Sequence, residues 1–219
     1  MKIVILGESL VAISAAHCLL DQIKDAEVHL VTENPEIGLM NEGPGIFDTW
    51  PPCPSHWFSD LKSQNPTVES NAVRRSWLEK AMGIALAERG CKIHIRTRST
   101  NLSSDYVEVK GAGRIGTGSI PFDIVTDLRS TTGTSTEWSG GVCTTGAEPK
   151  ACITGQRSDG TTEVWWMGER KETRSWLQEM KWIGQDPRGA LTGEVQEGIG
   201  IARSLVDTII QKSPGQKTE

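Results

Sequence analysis

The first 33 residues alternate between apolar runs and polar turns in a pattern that predicts a strand, a helix and a second strand. An apolar run ends at Gly7, which is typical of a buried parallel strand. Apolar side chains then recur at helical spacing, and a second apolar run over residues 28–31 stops just before Glu33. The chain therefore begins with a predicted strand–turn–helix–strand unit, in which an acidic residue follows the first glycine by 26 positions.

This order is the layout of a dinucleotide-binding fold, in which a pyrophosphate lies against the turn and the N-terminus of the helix. Gly7 permits the tight turn, and the amides that follow, at Ser9 and Leu10, would face the phosphates. Ala12 suits the close packing of the helix against the strand. Glu33 would accept hydrogen bonds from a ribose hydroxyl, which favours an unphosphorylated ribose and therefore FAD or NAD over NADP.

The turn differs from the usual G-x-G-x-x-G/A motif at the second glycine. Ser9 stands at that position, where its hydroxyl could donate to a phosphate. Glu8 brings a negative charge close to the expected anion, which argues against nucleotide binding. The alternative is a strand–helix–strand unit that binds nothing, but the complete unit around the turn favours nucleotide binding.

Further along the chain, the pattern predicts a long loop, two long helices, one short helix and several strands. The loop covers residues 34–54, is rich in Gly and Pro, and would lie over the cofactor. A helix is predicted over residues 72–89, capped by Ser70 or Asn71, with Trp77 and Ile84 among the residues of its buried face. The other predicted strands cover residues 91–96, 106–110, 120–127, 151–154 and 161–167, and the other helices cover 172–181 and 193–211.

Composition narrows the class of protein. The net charge of −5, without a basic stripe, argues against nucleic-acid binding. No apolar stretch approaches the roughly 18 residues of a membrane-spanning helix, and the apolar N-terminus is too short for a signal peptide. Five widely spaced cysteines fit reduced thiols in the cytoplasm, although Cys143 and Cys152 could pair across a hairpin. No Cys/His set has zinc spacing, so no metal site is expected.

Tryptophan is unusually frequent, with eight Trp against three Phe and one Tyr. A Trp side chain suits flat ligands and interfaces as well as ordinary core packing, and the sequence leaves both uses open. His56 is weighed as a proton shuttle or a capping residue, and Cys53 as a reactive or an inert thiol. No catalytic residue is identified.

Three later segments add a family resemblance to the Gly7 turn. They are residues 73–78, residues 122–127, and residues 164–169 together with the last helix. In this order they resemble the flavoproteins with two dinucleotide-binding motifs, the group of aromatic hydroxylases, amine oxidases and renalase-like enzymes. Members of the group are usually much longer, so the chain looks like a minimal form with a reduced substrate region.

The resemblance implies further FAD contacts. Arg75 would reach the FAD phosphates or the ribityl chain, and Gly168 and Glu169 would contact the ribityl chain or the pyrophosphate. Gly193, at the start of the last helix, would bring backbone amides near the pyrimidine edge of the flavin. Residues 184–186 are a competing candidate for the motif at Gly168 and Glu169. The family's Ala-x-Gly strand end is replaced here by residues 127–129, Asp-Leu-Arg.

The implied fold class is α/β: a Rossmann-like parallel sheet with helices on both faces, a small β-meander and a minimal antiparallel cap. Residues 1–127 and 161–211 would form the FAD-binding domain, residues 128–160 a reduced substrate or cap region, and residues 212–219 a mobile tail.

The expected function is that of an FAD-dependent oxidoreductase acting on a small substrate, with aromatic compounds and amines as the classes considered. The first alternative is a non-catalytic flavin- or nucleotide-binding subunit of a larger complex, and the second is an NAD-binding protein. A homodimer or a partner subunit is expected to cover the open cofactor face, because such a face and surplus Trp both invite covering.

Overall fold

The computed structural model describes residues 1–39, 42–112, 115–129, 135–150, 152–168 and 175–212. The strands are β1 (Lys2–Leu6), β2 (Glu27–Val31), β3 (Lys92–His94), β4 (Thr97–Leu102), β5 (Tyr106–Gly111), β6 (Thr117–Pro121), β7 (Ile124–Asp127), β8 (Thr136–Thr144), β9 (Ile153–Gln156), β10 (Thr161–Met167) and β11 (Gln178–Gly184). The helices are α1 (Leu10–Gln22), α2 (Arg75–Glu88) and α3 (Ala190–Lys212), and Ser55–Trp57 and Lys62–Gln64 form short 3-10 turns. None of these helices combines the length and the apolar character needed to cross a membrane.

The chain divides into two compact units. The first comprises Met1–Glu36, Leu86–Ser130 and Glu194–Glu219, and the second comprises Ile37–Ala85 and Thr131–Gly193. The predicted domains differ in their roles, FAD binding or substrate binding, and a division into compact units does not test such roles. That division therefore stays a prediction.

The first unit contains the predicted strand–helix–strand unit within a parallel sheet of order β3-β2-β1-β7. Strand β1 lies between two neighbours, and its residues from Ile3 to Leu6 are fully buried, as expected for a central parallel strand. Helix α1 is buried along its first ten residues, which explains why its sequence is apolar on almost every side. The predicted α/β class with a Rossmann-like parallel sheet is confirmed.

The predicted β-meander is also present in the first unit, as the antiparallel sheet β4-β5-β6. Its apolar side chains Val107, Val109 and Ile120 share one cluster with Val4 and Leu6 of the parallel sheet. The single strand predicted over 120–127 is wrong, because two strands in different sheets occupy this segment, β6 and β7.

An antiparallel sheet of order β11-β8-β10-β9 organises the second unit. The short helix predicted over 172–181 is wrong where the structure describes it, because strand β11 begins at Gln178. Met180 is buried between the exposed residues Glu179 and Lys181, which is the two-residue period of a strand. Residues 172–174 lie outside the described part. The hairpin β9–β10 agrees with the predicted turn, and Cys143 and Cys152 are free thiols.

Helix α2 starts later than predicted because both proposed caps have other partners. Asn71 accepts a hydrogen bond from the Gln156 amide through Oδ1 (2.7 Å), and Ser70 accepts one from the Thr67 amide through Oγ (3.1 Å). The first helical residue is Arg75. The helix ends at Glu88, one residue before the predicted end, and the predicted stop signal Gly90 follows with a φ of +92°.

The buried face of α2 is also narrower than predicted. Leu78, Met82 and Leu86 recur every four residues and are fully buried. Trp77 is 46% exposed and Ile84 is 43% exposed, so their assignment to the buried face is wrong.

A buried carboxylate fixes part of the long loop in the second unit. Glu163 accepts hydrogen bonds from the Gly45 amide (2.9 Å) and the Trp165 indole (3.1 Å) on Oε1, and from Arg157 Nη2 (2.7 Å) on Oε2. The Val73 amide donates to the Gly45 carbonyl (2.9 Å), which holds the loop from its other side. Loop residues near Gly45 are therefore part of the folded core of this unit.

The variant Glu163→Gln should destabilise the protein by about 3–5 kcal/mol, because it leaves the buried Arg157 guanidinium without its carboxylate. Urea unfolding followed by circular dichroism measures the loss. The matched control is Glu137→Gln on the same sheet, which breaks an exposed pair with Lys181 (3.2 Å) and should cost about 1 kcal/mol or less. Equal losses in the two variants would contradict the structural role of Glu163.

Two histidines link strands β2 and β3 in the first unit. His29 Nδ1 and His94 Nε2 are 3.0 Å apart, and His29 Nε2 lies 2.9 Å from Glu27 Oε1. Burial lowers the pKa of His94 to about 4, with a smaller contribution from the neighbouring His29 and Lys92 charges. Burial also lowers the pKa of His29, against the raising effect of Glu27. Lys2 completes the set of charged groups around the pair.

Acidification should therefore destabilise the first unit between pH 6.5 and about 4. Both histidines have folded-state pKa values below the ordinary 6.5, so the unfolded chain binds more protons in this range. The stabilisation is complete above pH 6.5 and disappears as the pH falls toward 4. The urea midpoint of the wild type should fall between pH 7 and pH 5, and His94→Gln should flatten this slope. An unchanged slope would show that the histidine pair does not control the acid response.

Candidate functional site

The candidate site lies in the first unit, where strands β1, β2 and β7 end at the same edge of the parallel sheet. Ligands of such sheets bind beyond the carboxyl ends of the strands. Gly7 has a φ of +130°, and a Cβ there would lie 2.8 Å from the Leu128 carbonyl oxygen. The Gly7 amide donates to the Val31 carbonyl (2.9 Å). The turn therefore requires glycine for two reasons: a side chain would be strained at this φ, and a Cβ would overlap the backbone of Leu128.

The N-terminus of α1 follows this turn. Ser9 is the N-cap residue, and its Oγ accepts a hydrogen bond from the Ala12 amide (3.3 Å). The hydroxyl thus keeps its own proton for a second partner, while Leu10 and Val11 are in the first turn, where amides have no acceptor within a helix. Ala12 is fully buried, which agrees with the close packing predicted for it.

The carboxylate of Glu8 turns toward the end of β2. Its Oε2 accepts a hydrogen bond from the Thr32 hydroxyl, and its Oε1 accepts one from the Asn34 side-chain amide. The Asn34 backbone amide in turn donates to the Thr32 hydroxyl (3.1 Å). The negative charge that argued against nucleotide binding is therefore tied to donors that follow β2.

Glu33 lies between Thr32 and Asn34 in the sequence and is exposed. The hydrogen bonds to Asp127 raise the pKa of Arg129, and the charge of Glu33 adds a smaller effect. Arg129 bonds both oxygens of Asp127, through Nε (2.8 Å) and through Nη2, and its Nη1 donates to Ser99 Oγ (2.6 Å). These hydrogen bonds from Arg129 lower the pKa of Asp127. The Asp-Leu-Arg segment thus adds an ion pair to this edge, which the Asp-x-Arg spacing could have indicated.

In the second unit, the two adjacent arginines at the start of α2 differ in their surroundings. Arg75 is 2% exposed, and its Nε donates to Glu79 Oε1 (2.9 Å). Arg74 is half-buried, and its Nη2 lies 3.8 Å from Glu42 Oε1. Among the described residues, the buried Nε of Arg74 has no hydrogen-bond partner. The sequence prediction named Arg75, but the unsatisfied donor belongs to Arg74.

Of the other predicted residues of this unit, Gly168 follows a strand and Gly193 lies in the first turn of a helix. Gly168 follows β10 with a φ of +71°, and Glu169 lies outside the described part of the chain. The Gly193 amide already donates to the Gly189 carbonyl within the first turns of α3 (2.8 Å). Strand β11, which ends at Gly184, directly precedes α3, whereas β10 does not.

The two weighed catalytic candidates differ in exposure, because Cys53 is buried and His56 is exposed. Burial raises the pKa of Cys53 to about 12, which makes its thiol unreactive at neutral pH. His56 packs edge-on against the buried Trp57 (centroids 6.4 Å apart). Trp165 is fully buried, while Trp166 stacks on Trp176 at 5.3 Å. The tryptophans therefore serve both core packing and a half-exposed aromatic pair.

No family model matches the chain, and no curated protein matches it. Solved structures do. A flavoprotein/dehydrogenase from Cytophaga hutchinsonii has 11% identity and a TM-score of 0.64 over 95% of this chain and 79% of its own. The p-nitrophenol 4-monooxygenase PnpA from Pseudomonas putida has 11% identity and a TM-score of 0.66 over 96% of this chain and 80% of its own. CtdE, in complex with FAD and a substrate, has 12% identity and a TM-score of 0.50 over 92% and 66%. At this identity the similarity is one of fold.

The variant Gly7→Ala should destabilise the protein by about 1–3 kcal/mol from backbone strain alone, with a further loss from the contact with Leu128. The control is Gly160→Ala, where φ is +79° but no atom lies within 4 Å of the new Cβ. Urea unfolding of both variants separates strain from steric overlap. If Gly160→Ala is as destabilising as Gly7→Ala, the close approach of Leu128 has no energetic effect.

Proposed function

We propose that the protein binds FAD and uses it to oxidise a small organic substrate. The observation that carries this proposal is the site in the first unit: a glycine turn, the N-terminus of α1 and the acidic end of β2 at one edge of a parallel sheet. The fold shared with flavoprotein structures, one of them holding FAD, supports it.

The residues of the first unit suit the pyrophosphate and ribose of a dinucleotide. Gly7, Ser9 and Leu10 would offer backbone amides, and Ala12 would keep α1 close to the strand. The partial positive charge at the N-terminus of α1 favours an anion there. Glu33 would accept hydrogen bonds from the ribose, and Thr32 and Asn34 would hold the Glu8 carboxylate at the end of β2 rather than over the pyrophosphate.

Within the second unit, the contacts favour a revised set of flavin ligands. Arg75 remains a predicted FAD contact, yet its buried bond to Glu79 already gives it a structural partner, so Arg74 is the better anion ligand. The order of elements favours residues 184–186 over Gly168 and Glu169 as the second FAD motif, because strand β11 leads directly into α3. The amides before Gly193 are better donors than its own, which is already bonded.

FAD, when bound, supplies the two-electron redox chemistry, so the chain's own groups need only bind, orient and shield the reactants. Aromatic substrates and amines remain the proposed classes, and the half-exposed Trp166–Trp176 pair offers a flat apolar surface to an aromatic one. A homodimer or a partner subunit remains a proposal, as does a cytoplasmic location.

A non-catalytic flavin-binding subunit is the second candidate. The observation in its favour is that three titratable side chains of the chain have structural surroundings. Cys53 is a buried thiol with a raised pKa, and His29 and His94 bond each other within the sheet. A protein of this kind would hold FAD but would not reduce it with any small substrate.

The first test is the absorption spectrum of the purified protein, with the released cofactor identified by mass. We expect flavin bands and FAD, and a colourless protein that takes up no added FAD would contradict the proposal. Bleaching of the flavin by a small substrate would single out the oxidoreductase over the non-catalytic subunit.

A matched pair of variants tests the arginines. Arg74→Ala should weaken FAD retention with little change in the urea midpoint, because its buried Nε makes no hydrogen bond and its ion pair with Glu42 is long and partly exposed. Arg75→Ala should lower stability by about 3–5 kcal/mol, because it removes the positive charge that faces the buried Glu79 carboxylate. Normal FAD retention by Arg74→Ala would exclude that residue from the site.

A further inference from the structure

We propose that Glu8 is a specificity-determining residue, which binds the ribose diol of an adenine nucleotide and rejects a 2′-phosphate. This inference rests on the proposed dinucleotide site and extends it, because the sequence motif assigns the ribose to Glu33 alone. The observation behind it is the position of the Glu8 carboxylate, which is bonded to Thr32 and Asn34 on either side of Glu33.

The backbone explains how Glu8 reaches this position. Gly7 makes the turn after β1 with a φ of +130°, and Glu8 is the next residue. Strand β2 runs parallel to β1, with Leu6 opposite Val31, so the residues that follow both strands emerge side by side. The carboxylate therefore lies where parallel strands place a ribose-binding acid, although it comes from the glycine turn.

The hydrogen bonds of Glu8 also fix its orientation. Thr32 donates to one oxygen and Asn34 to the other, so the carboxylate group cannot rotate freely. Each carboxylate oxygen can accept two hydrogen bonds, which leaves acceptor capacity on both. Two oxygens on one rigid carboxylate match the two adjacent hydroxyls of a ribose.

Charge gives the same site its selectivity. Two carboxylates, Glu8 and Glu33, lie at the end of β2, and the nearby Arg129 is held by both oxygens of Asp127. A ribose 2′-phosphate would bring about two further negative charges against them, whereas a diol only donates hydrogen bonds. Glu33 is exposed, whereas two donors hold the Glu8 carboxylate in place, so Glu8 is the carboxylate better placed to repel a phosphate.

The test measures binding of ADP and of adenosine 2′,5′-bisphosphate to the full-length protein by calorimetry. The wild type should prefer ADP. Glu8→Gln should weaken ADP binding by about tenfold or more, through loss of charge-assisted hydrogen bonds to the diol, and should reduce the preference over the 2′-phosphate. Glu33→Gln, the matched variant, should reduce this preference less.

The outcomes separate the two proposals. If the wild type binds neither ADP nor FAD, the dinucleotide site itself is wrong, and the role of Glu8 with it. If ADP binds but Glu8→Gln keeps the wild-type preference, only the role of Glu8 is overturned. Thr32→Val, which removes one tether and keeps the charge, gives a second measurement should Glu8→Gln fold poorly. It should weaken ADP binding, and unchanged binding would overturn the proposal.

Discussion

The close contact between Gly7 and the Leu128 carbonyl is the constraint on which the first unit depends. Glycine at this position lets β1 and β7 end side by side, because a Cβ there would overlap the backbone that follows β7. The amide of the same glycine is bonded to Val31, so one residue links β1 to the strand on one side and meets the backbone after β7 on the other. The start of α1 follows from this turn, and with it the orientation of the helix amides.

Three acidic residues lie near the proposed anion site, and two of them are held by hydrogen-bond donors. Three carboxylates belong to this edge of the sheet, those of Glu8, Glu33 and Asp127. Side-chain donors hold Glu8 and Arg129 holds Asp127. Glu33 faces solvent. The positive end of the α1 dipole is therefore opposed less strongly than the composition of the turn suggests.

Sequence patterns predicted the elements whose determinants are local. The first strand, helix and strand could be predicted from apolar spacing, and Gly7 from the turn it must form. The helix over 172–181 was wrong although Met180 alternates with exposed neighbours, because charged residues nearby also suit a helix. The spacing of Arg75 and Glu79 could have indicated their ion pair. The position of Glu8 could not be predicted, since its partners lie 24 and 26 residues away.

The order of strands in the parallel sheet bears on how the chain reaches its fold. Strand β1 lies between β2 and β7, yet β7 follows it by more than a hundred residues. During synthesis from the N-terminus, one hydrogen-bonding edge of a largely apolar strand thus stays open while more than a hundred further residues are made. Such non-local pairing slows folding and exposes a strand to pairing with other chains. Helper proteins that shield nascent apolar strands would matter most for this first segment.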